Sequence, residues 1–422
     1  MSAELRDALV LGLTGSFGSG CSTLAEALRV NHGFEVFSLS TLLKREFEER
    51  LRTTGEEGRE PTRAELQDLG NELRQSKGRD FLARSTIQEA EQQRNADRLA
   101  FDSIKNLAEV KFLRDSFPNF FLVQVQCSSD KRWNRVEARY RRQGLGREDI
   151  EKDDIRDQVE FDLPYGQQVQ LCADEADIVI ANEKHCHSRP EAVRTIEERA
   201  DQYVGLVTKD SLRYPAVDEV MMSVAYMQAT LSRCIKRQVG AVIVDDRDTI
   251  VSAAFNDNPP PIQPCQLRLR CEKDSKMLGK LEALEGSPCP RCGQKLAAMA
   301  APYVCSECEV SLKEILFPDR GMQWCTAIHA EDGAIRHVGG RNLQGCTLYT
   351  TTFPCFNCAK AITYAGIQRI VYVEPYPDGD GAALLETAKK EVLLFEGVKA
   401  RAFHRLFAPI QAEMERRYGM GI

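Results

Sequence analysis

Tryptophan and net positive charge are scarce in this chain, and each scarcity narrows what it can be. Two tryptophans are few for a groove that stacks successive bases of a single strand along a basic track. Lys and Arg number 56 against 63 Asp and Glu, a formal charge of −7. That balance argues against a broad nucleic-acid-binding face, although a local basic patch remains open. No apolar run is long enough to span a bilayer, and no secretory leader is visible at the N-terminus. Internal repeats and low-complexity stretches are likewise lacking. Fifteen cysteines would mean disulfides in a small secreted protein. Without a leader they point instead to reduced thiols and metal sites in the cytoplasm. At 422 residues, two domains with real cores are expected.

What the chain does have is three short fragments: His329-Ala330-Glu331, Pro354-Cys355 and Cys358. One imidazole and two thiolates can make three ligands of a tetrahedral zinc whose fourth position is left to water. Two thiolates balance the charge of Zn²⁺, yet the metal still brings the pKa of bound water from 15.7 toward about 7. Glu331, two residues beyond the histidine, is placed to shuttle protons and is not expected to bind metal. Glu331 to Ile335 and Pro354 to Ile362 both read as helix starts, and a helix N-terminus favours thiolate. The order H-x-E then P-C-x-x-C is the pattern of zinc nucleobase deaminases. An ordinary core histidine beside a reduced cysteine pair would not require that proline or that glutamate.

Upstream, Val239 to Asp246 and Thr249 to Phe255 read as two buried strands. With Ser232-Arg233-Cys234, Asn256, the H-A-E and P-C-x-x-C-A-K motifs and Gly366 to Tyr372, this region resembles the deoxycytidylate (dCMP) deaminase family. The resemblance runs from about Leu212 to the C-terminus. It implies that Asn256 hydrogen-bonds the sugar, that Tyr376 or the pair Lys236 and Arg237 lies near the 5′-phosphate, and that Ala330 belongs to the substrate-binding set. The chain departs from the family at Asp257, where a glycine is usual, so regulation by nucleoside triphosphates does not follow from that loop. In some members two cysteines at the places of Cys234 and Cys265 hold a second structural zinc. Cys271 and Cys325 could complete such a set, or all four could be buried free thiols.

The stretch from Phe255 to His329 is too long for a plain connection. It contains Cys289-Pro290-Arg291-Cys292 and Cys305-Ser306-Glu307-Cys308, two C-x-x-C knuckles that read as a closed Cys₄ structural zinc in a ribbon inserted at about 265–320. Flanking Glu282, Glu285, Glu307, Glu309 and Glu314 speak against a phosphate-binding role for it.

The N-terminal half carries an apolar strand, Ala8 to Thr14, that runs into Gly15-Ser16-Phe17-Gly18-Ser19-Gly20-Cys21-Ser22-Thr23 and then a helix. The P-loop template G-x-x-x-x-G-K-[ST] is met at Gly15, Gly20 and Ser22, but Cys21 stands where the lysine belongs. Backbone N–H groups can still cradle phosphate, and Ser22 with Asp102, at the end of a short strand, can still serve Mg²⁺. Phosphoryl transfer lacks its usual cation. Further strands at Phe120 to Val125 and Ala176 to Asn182, and an Arg-dense helix at Asp130 to Arg142, make this half similar to P-loop nucleoside monophosphate kinases.

The expected fold is α/β: a P-loop parallel α/β domain over 1–205, then a cytidine-deaminase-like α/β/α domain over 206–422 with the zinc ribbon inserted. The pairing resembles bacterial phage-defence deoxycytidine-nucleotide deaminases. That likeness implies conversion of dCTP and dCMP to uracil nucleotides, a regulatory P-loop domain with a possible nucleotide effector, an inhibitory small RNA in some members, and a homo-oligomer. Two other readings compete. One is an RNA or single-stranded DNA cytosine or adenine editing deaminase. The other is a nucleotide or RNA sensor reading its ligand through Arg135, Arg139, Arg141 and Arg142.

Overall fold

The computed structural model describes residues 3–54, 58–92, 97–159, 163–183, 189–211, 213–296, 303–317, 322–375 and 379–408. The chain divides into two compact units, Met1–Glu219 together with Leu394–Ile422, and Val220–Leu393.

In the first unit, strands β1 (Leu9–Thr14), β2 (Glu35–Ser38), β3 (Arg98–Asp102), β4 (Phe120–Gln126) and β5 (Ile178–Ala181) run parallel in the order β2-β3-β1-β4-β5. β1 and β4 are buried along almost their whole length, as parallel strands covered on both faces must be. The helix Cys21–His32 follows the glycine loop and buries Leu24, Ala25, Ala27 and Leu28. Each fully buried leucine contributes about 1.5–3 kcal/mol. The helix stops at Gly33, whose φ of 68° lets its N–H turn back to the carbonyl of Leu28. Because β1 has β3 on one side and β4 on the other, the strand order reverses there. A crevice opens outside the C-terminal ends of the strands at such a point.

The second unit holds β6 (Gly240–Val244), β7 (Ile250–Phe255), β8 (Thr347–Thr352), β9 (Arg369–Glu374) and β10 (Glu391–Leu394) in the order β10-β9-β8-β6-β7. β6 pairs antiparallel with β7 and β8, while β8 and β9 are parallel and joined through the helix Phe356–Ala365. The helix Ala330–His337 packs on β6 and β7. A Cβ on Gly240 would lie 1.9 Å from the carbonyl oxygen of Ala225, so only glycine lets the helix Val217–Ala229 approach β6 this closely.

Within the insertion, the helix Glu272–Glu282 places Met277 and Leu281 against Leu296, Leu312 and Phe317. Around that small core the two knuckles fold alike. Gly293 N–H bonds the Cys289 carbonyl at 2.9 Å, and Glu309 N–H bonds the Cys305 carbonyl at 2.9 Å.

The class is α/β throughout, as expected, but the division of the chain differs from the expected 205/206 boundary. The first unit continues to Glu219 and takes back the segment from Leu394. β11 (Gly397–Val398) adds antiparallel to β5, and the helix Ala400–Phe407 puts Ala402, Leu406 and Phe407 among Leu24, Leu28, Ile178 and Tyr203. That apolar face is the physical reason for the return. Glu219 anchors it, accepting from Val398 N–H at 2.8 Å while paired with Arg213 at 2.6 Å. No described helix is long and apolar enough to cross a membrane.

Candidate active site

β7 ends at Phe255, and Asp257 bridges to Ile328, its N–H and carbonyl both bonded to that residue. The pairing delivers His329 to the start of the helix Ala330–His337, with Ala330 fully buried as the first helical residue. β8 leads through Pro354 to Cys355, which precedes the helix Phe356–Ala365 and leaves Cys358 in its first turn. Two helix N-termini thus converge. His329 Nδ1 lies 3.3 Å from the Sγ of Cys355 and 3.3 Å from the Sγ of Cys358. Tetrahedral zinc with its usual N and S bond lengths needs about 3.6 Å between such atoms. The donor set and its spacing fit the metal.

Hydrogen bonds from Cys358 and from His329 bring the Cys355 thiol down to about 4, despite its burial. The Cys358 thiol is raised, first by its contact with Cys355 and then by burial. His329 is raised to about 11, chiefly by its hydrogen bonds with Cys325 and Cys355. Metal binding needs a neutral imidazole and thiolates, so loading the site releases protons. Glu331 is buried at 4 % exposure; that burial lifts its carboxyl to about 7 against the opposing pull of His329. Its side chain hydrogen-bonds Cys358. A proton carrier therefore sits against the donor set, on the helix that begins at the histidine.

Cys289, Cys292, Cys305 and Cys308 bring their sulfurs together within 4.8 Å of one another. Cys289 and Cys308 are 3.8 Å apart, and Cys292 and Cys305 are 3.7 Å apart. Tetrahedral Zn–S geometry asks for about 3.8 Å. Among the described residues these four and the His329 trio are the only such groups. Cys234, Cys265, Cys271 and Cys325, offered by the sequence either as a second structural metal set or as four free thiols, do not form such a group among the described residues. Cys265 is held by Asn258 and Arg268 instead. Cys325 turns to the His329 ring, a partnership that nothing in the sequence spacing announced.

The expected substrate contacts fare unevenly. Asn256 is buried, and its amide is largely spent within the protein. Its Oδ1 accepts from Val239 N–H at 2.7 Å and from Ser232 Oγ at 2.8 Å, and its Nδ2 donates to the Arg237 carbonyl at 3.0 Å. One amide proton is left for a ligand. Lys236 pairs with Asp274, and Arg237 lies 3.9 Å from Glu374. Tyr376 falls outside the described residues.

At the glycine loop, Gly15, Gly18 and Gly20 all have positive φ. A Cβ on Gly20 would lie 2.6 Å from Asn182 Nδ2, which donates to the Ser19 carbonyl at 2.7 Å. Ser16, Cys21, Ser22, Thr23 and Asp102 line the same cavity. The Ser22 side chain hydrogen-bonds Asp102. Burial and the Asp102 carboxylate push the Cys21 thiol up to about 11, so a neutral group replaces the usual lysine. Sequence reasoning missed Lys105, whose Nζ donates to the Gly15 carbonyl at 2.7 Å.

Residues 215–374 match the profile of the cytidine and deoxycytidylate deaminase zinc-binding region. The deoxycytidylate deaminase of Mycobacterium phage D29 is 30% identical over 158 residues, which is 37% of this chain and 94% of that protein. The deoxycytidylate deaminase of Pongo abelii is 29% identical over 195 residues, covering 46% of this chain and 82% of its own length. The human enzyme is 28% identical with the same coverage. On this likeness, and with a donor set fitted to the metal for which the matched region is named, the chain is a hydrolytic deaminase that belongs to the deoxycytidylate deaminase family.

Proposed function

We propose that the Val220–Leu393 unit hydrolyses the exocyclic amine of deoxycytidine nucleotides, taking dCMP and dCTP to dUMP and dUTP, and that the glycine-loop unit governs when it does so. The observation that carries this reading is a buried carboxyl, Glu331, hydrogen-bonded to Cys358 within a His329–Cys355–Cys358 donor set. Zinc bound by those three residues supplies a water acidified toward a pKa of about 7. Glu331 takes the proton of the attacking water, passes it to ring N3, and delivers another to the departing amine. Cytosine and water become uracil and ammonia, with no other reactant. Cys289, Cys292, Cys305 and Cys308 of the ribbon would hold a second zinc with four sulfurs and no position for water, a structural role. Asn256 positions the loop after β7 and offers the sugar its remaining amide proton. In cells under phage attack, the consequence is depletion of cytosine deoxynucleotides.

Purified, zinc-loaded protein incubated with dCMP, dCTP and CTP tests the reading through ammonia release. Ammonia is expected from the deoxynucleotides. Glu331→Ala is expected to lower turnover by about 10²–10⁴ with zinc retained. No ammonia from any of the three substrates ends the reading. Deoxynucleotide pools in infected cells expressing wild type or Glu331→Ala then test the physiological half.

A further inference from the structure

The insertion that carries the ribbon runs directly into the segment that presents His329, and the residues between them are held in place. A turn of 3₁₀ helix, Met322–Trp324, closes with Cys325 N–H donating to the Met322 carbonyl at 2.9 Å. Trp324 packs against the small ribbon core. Its ring meets Phe317 edge to face with centroids 5.4 Å apart, and Lys280 Nζ lies 5.3 Å from the indole centroid. That core includes Leu281, Leu296, Leu312 and Phe317 together with Cys289 and Cys305, two of the four gathered thiols. A lobe this small holds such a core only with a metal or a covalent staple. Order at the Trp324 seat is therefore tied to metal at the four thiols.

From the other side, the segment is held by the loop after β7. Thr326 Oγ1 donates to Asn258 Oδ1 at 2.8 Å, and Ile328 is bridged to Asp257. Asn258 is buried, and its Nδ2 donates to the Gln263 carbonyl at 2.9 Å. These bonds fix 326–328 independently of the ribbon. Cys325 lies just beyond them, on the ribbon side. Its thiol meets the His329 ring and accepts from the Ala327 N–H. A side chain at that point is aimed only while the backbone is held at both ends, and the second hold is Trp324. Losing a neighbour that orients a metal-binding histidine costs about 10–100-fold in metal affinity or activity.

We propose that the ribbon is the mount of the active-site metal: Trp324, seated in the ribbon core, is a positioning residue that keeps the Cys325 thiol against His329, so that zinc at Cys289, Cys292, Cys305 and Cys308 tightens the binding of zinc at His329, Cys355 and Cys358. The inference rests on the reading of that trio as a zinc site and gives the insertion a part in the chemistry, although its own four sulfurs leave no position for water. Coupling of this kind is reciprocal, so each zinc strengthens the other by the same factor.

The test is a binding cycle by competition with a chromophoric chelator. It compares the full chain with Cys292→Ser plus Cys308→Ser, which keeps the active-site metal alone, and with Cys355→Ser plus Cys358→Ser, which keeps the ribbon metal alone. The wild type is expected to hold its two zinc ions about tenfold or more tighter than the two single-site chains together imply. In a Trp324→Ala background the same cycle is expected to close within about twofold, and Trp324→Phe is expected to restore the coupling. Amide exchange over 325–331 is expected to quicken in the chain without ribbon metal. A cycle that closes in the wild type overturns the proposal. So does coupling that survives Trp324→Ala, or coupling that Trp324→Phe fails to restore. Should a serine pair unfold the chain, Trp324→Ala, which keeps every donor, must still weaken the combined hold on zinc about tenfold while Trp324→Phe does not; no difference between them overturns the proposal. Zinc affinity is read without substrate, so failure here is distinct from failure of the deaminase reading.

Discussion

Replacing Asp157 by asparagine removes the carboxylate around which the floor of the glycine-loop cavity is organised. Asp157 is fully buried and pairs with Arg63; it also accepts from Gln67 Nε2 at 2.6 Å and lies 3.5 Å from Lys105. Burial alone would raise its pKa, but Arg63 and Lys105 with the Gln67 bond outweigh it and hold the group at about 2, below the ordinary 3.8. A folded-state pKa below the unfolded one means stability that is fully present above about pH 4 and lost as the pH falls through about 2. At 1.36 kcal/mol for each pKa unit, the contribution is about 2 kcal/mol. The asparagine variant forfeits it at neutral pH. It also leaves Arg63 and Lys105 short of a counter-charge, and breaking a buried pair in this way costs about 3–5 kcal/mol. Trp133 lies in the first unit, on the helix Ser129–Arg142. In a Trp324→Phe background its fluorescence reports urea unfolding of that unit alone. The expected result is a variant less stable by several kcal/mol at pH 7, whose stability falls less steeply than wild type between pH 4 and 2. Equal slopes in that window, or equal stability at pH 7, would refute the reasoning.

Elemental analysis is expected to find two zinc ions per chain, one for each gathered donor group; three would revive a site among Cys234, Cys265, Cys271 and Cys325. Cys292→Ser with Cys308→Ser is expected to lower the count by one and to destabilise the packing of Met277 and Leu281, read as faster amide exchange over 272–282. Cys325→Val removes a hydrogen-bond partner of a metal-binding histidine, and such losses cost 10–100-fold in metal affinity or activity. Competition with a chromophoric chelator measures the first and ammonia release the second; no change in either would show that Cys325 does not orient His329.

The donor groups were legible because their chemistry is local. H-x-E, P-C-x-x-C and the paired knuckles fix spacing within a turn or two of backbone, and strands and helix starts position the rest. The glycine loop was legible for the same reason. Lys105 was not, because it reaches Gly15 from 90 positions away through the pairing of β1 with β3; Cys325 lies close to His329 in sequence, but no motif spacing marks it as a partner of that ring. Asn256 was found in the right place, yet its hydrogen bonds to Ser232, Val239 and Arg237 are long-range in sequence and leave it little to give a ligand. Between a four-cysteine metal set and four free thiols the sequence could not choose, because proximity in a list of unassigned thiols is not proximity in space. The domain boundary was missed because the stretch from Leu394 to Phe407 carries no punctuation that distinguishes a returning strand and helix from the end of the second unit.

That return has a practical consequence for anyone who wishes to separate the two units. The deaminase unit is an insertion between Glu219 and Leu394, not a tail, and Glu219 bonds Val398 close to where the chain comes back. Neighbouring exit and re-entry points are what allow one domain to be lodged inside another. A protease nick at either crossing leaves both units covalently joined through the other. A stop codon after Leu393, meant to yield a trimmed enzyme, would instead strip β11 from the edge of β5 and expose Leu24, Leu28, Ile178 and Tyr203, which the helix Ala400–Phe407 covers. The unpaired edge and bared apolar face invite aggregation. Clean separation calls for excising 220–393 as one piece and closing the first unit with a short linker.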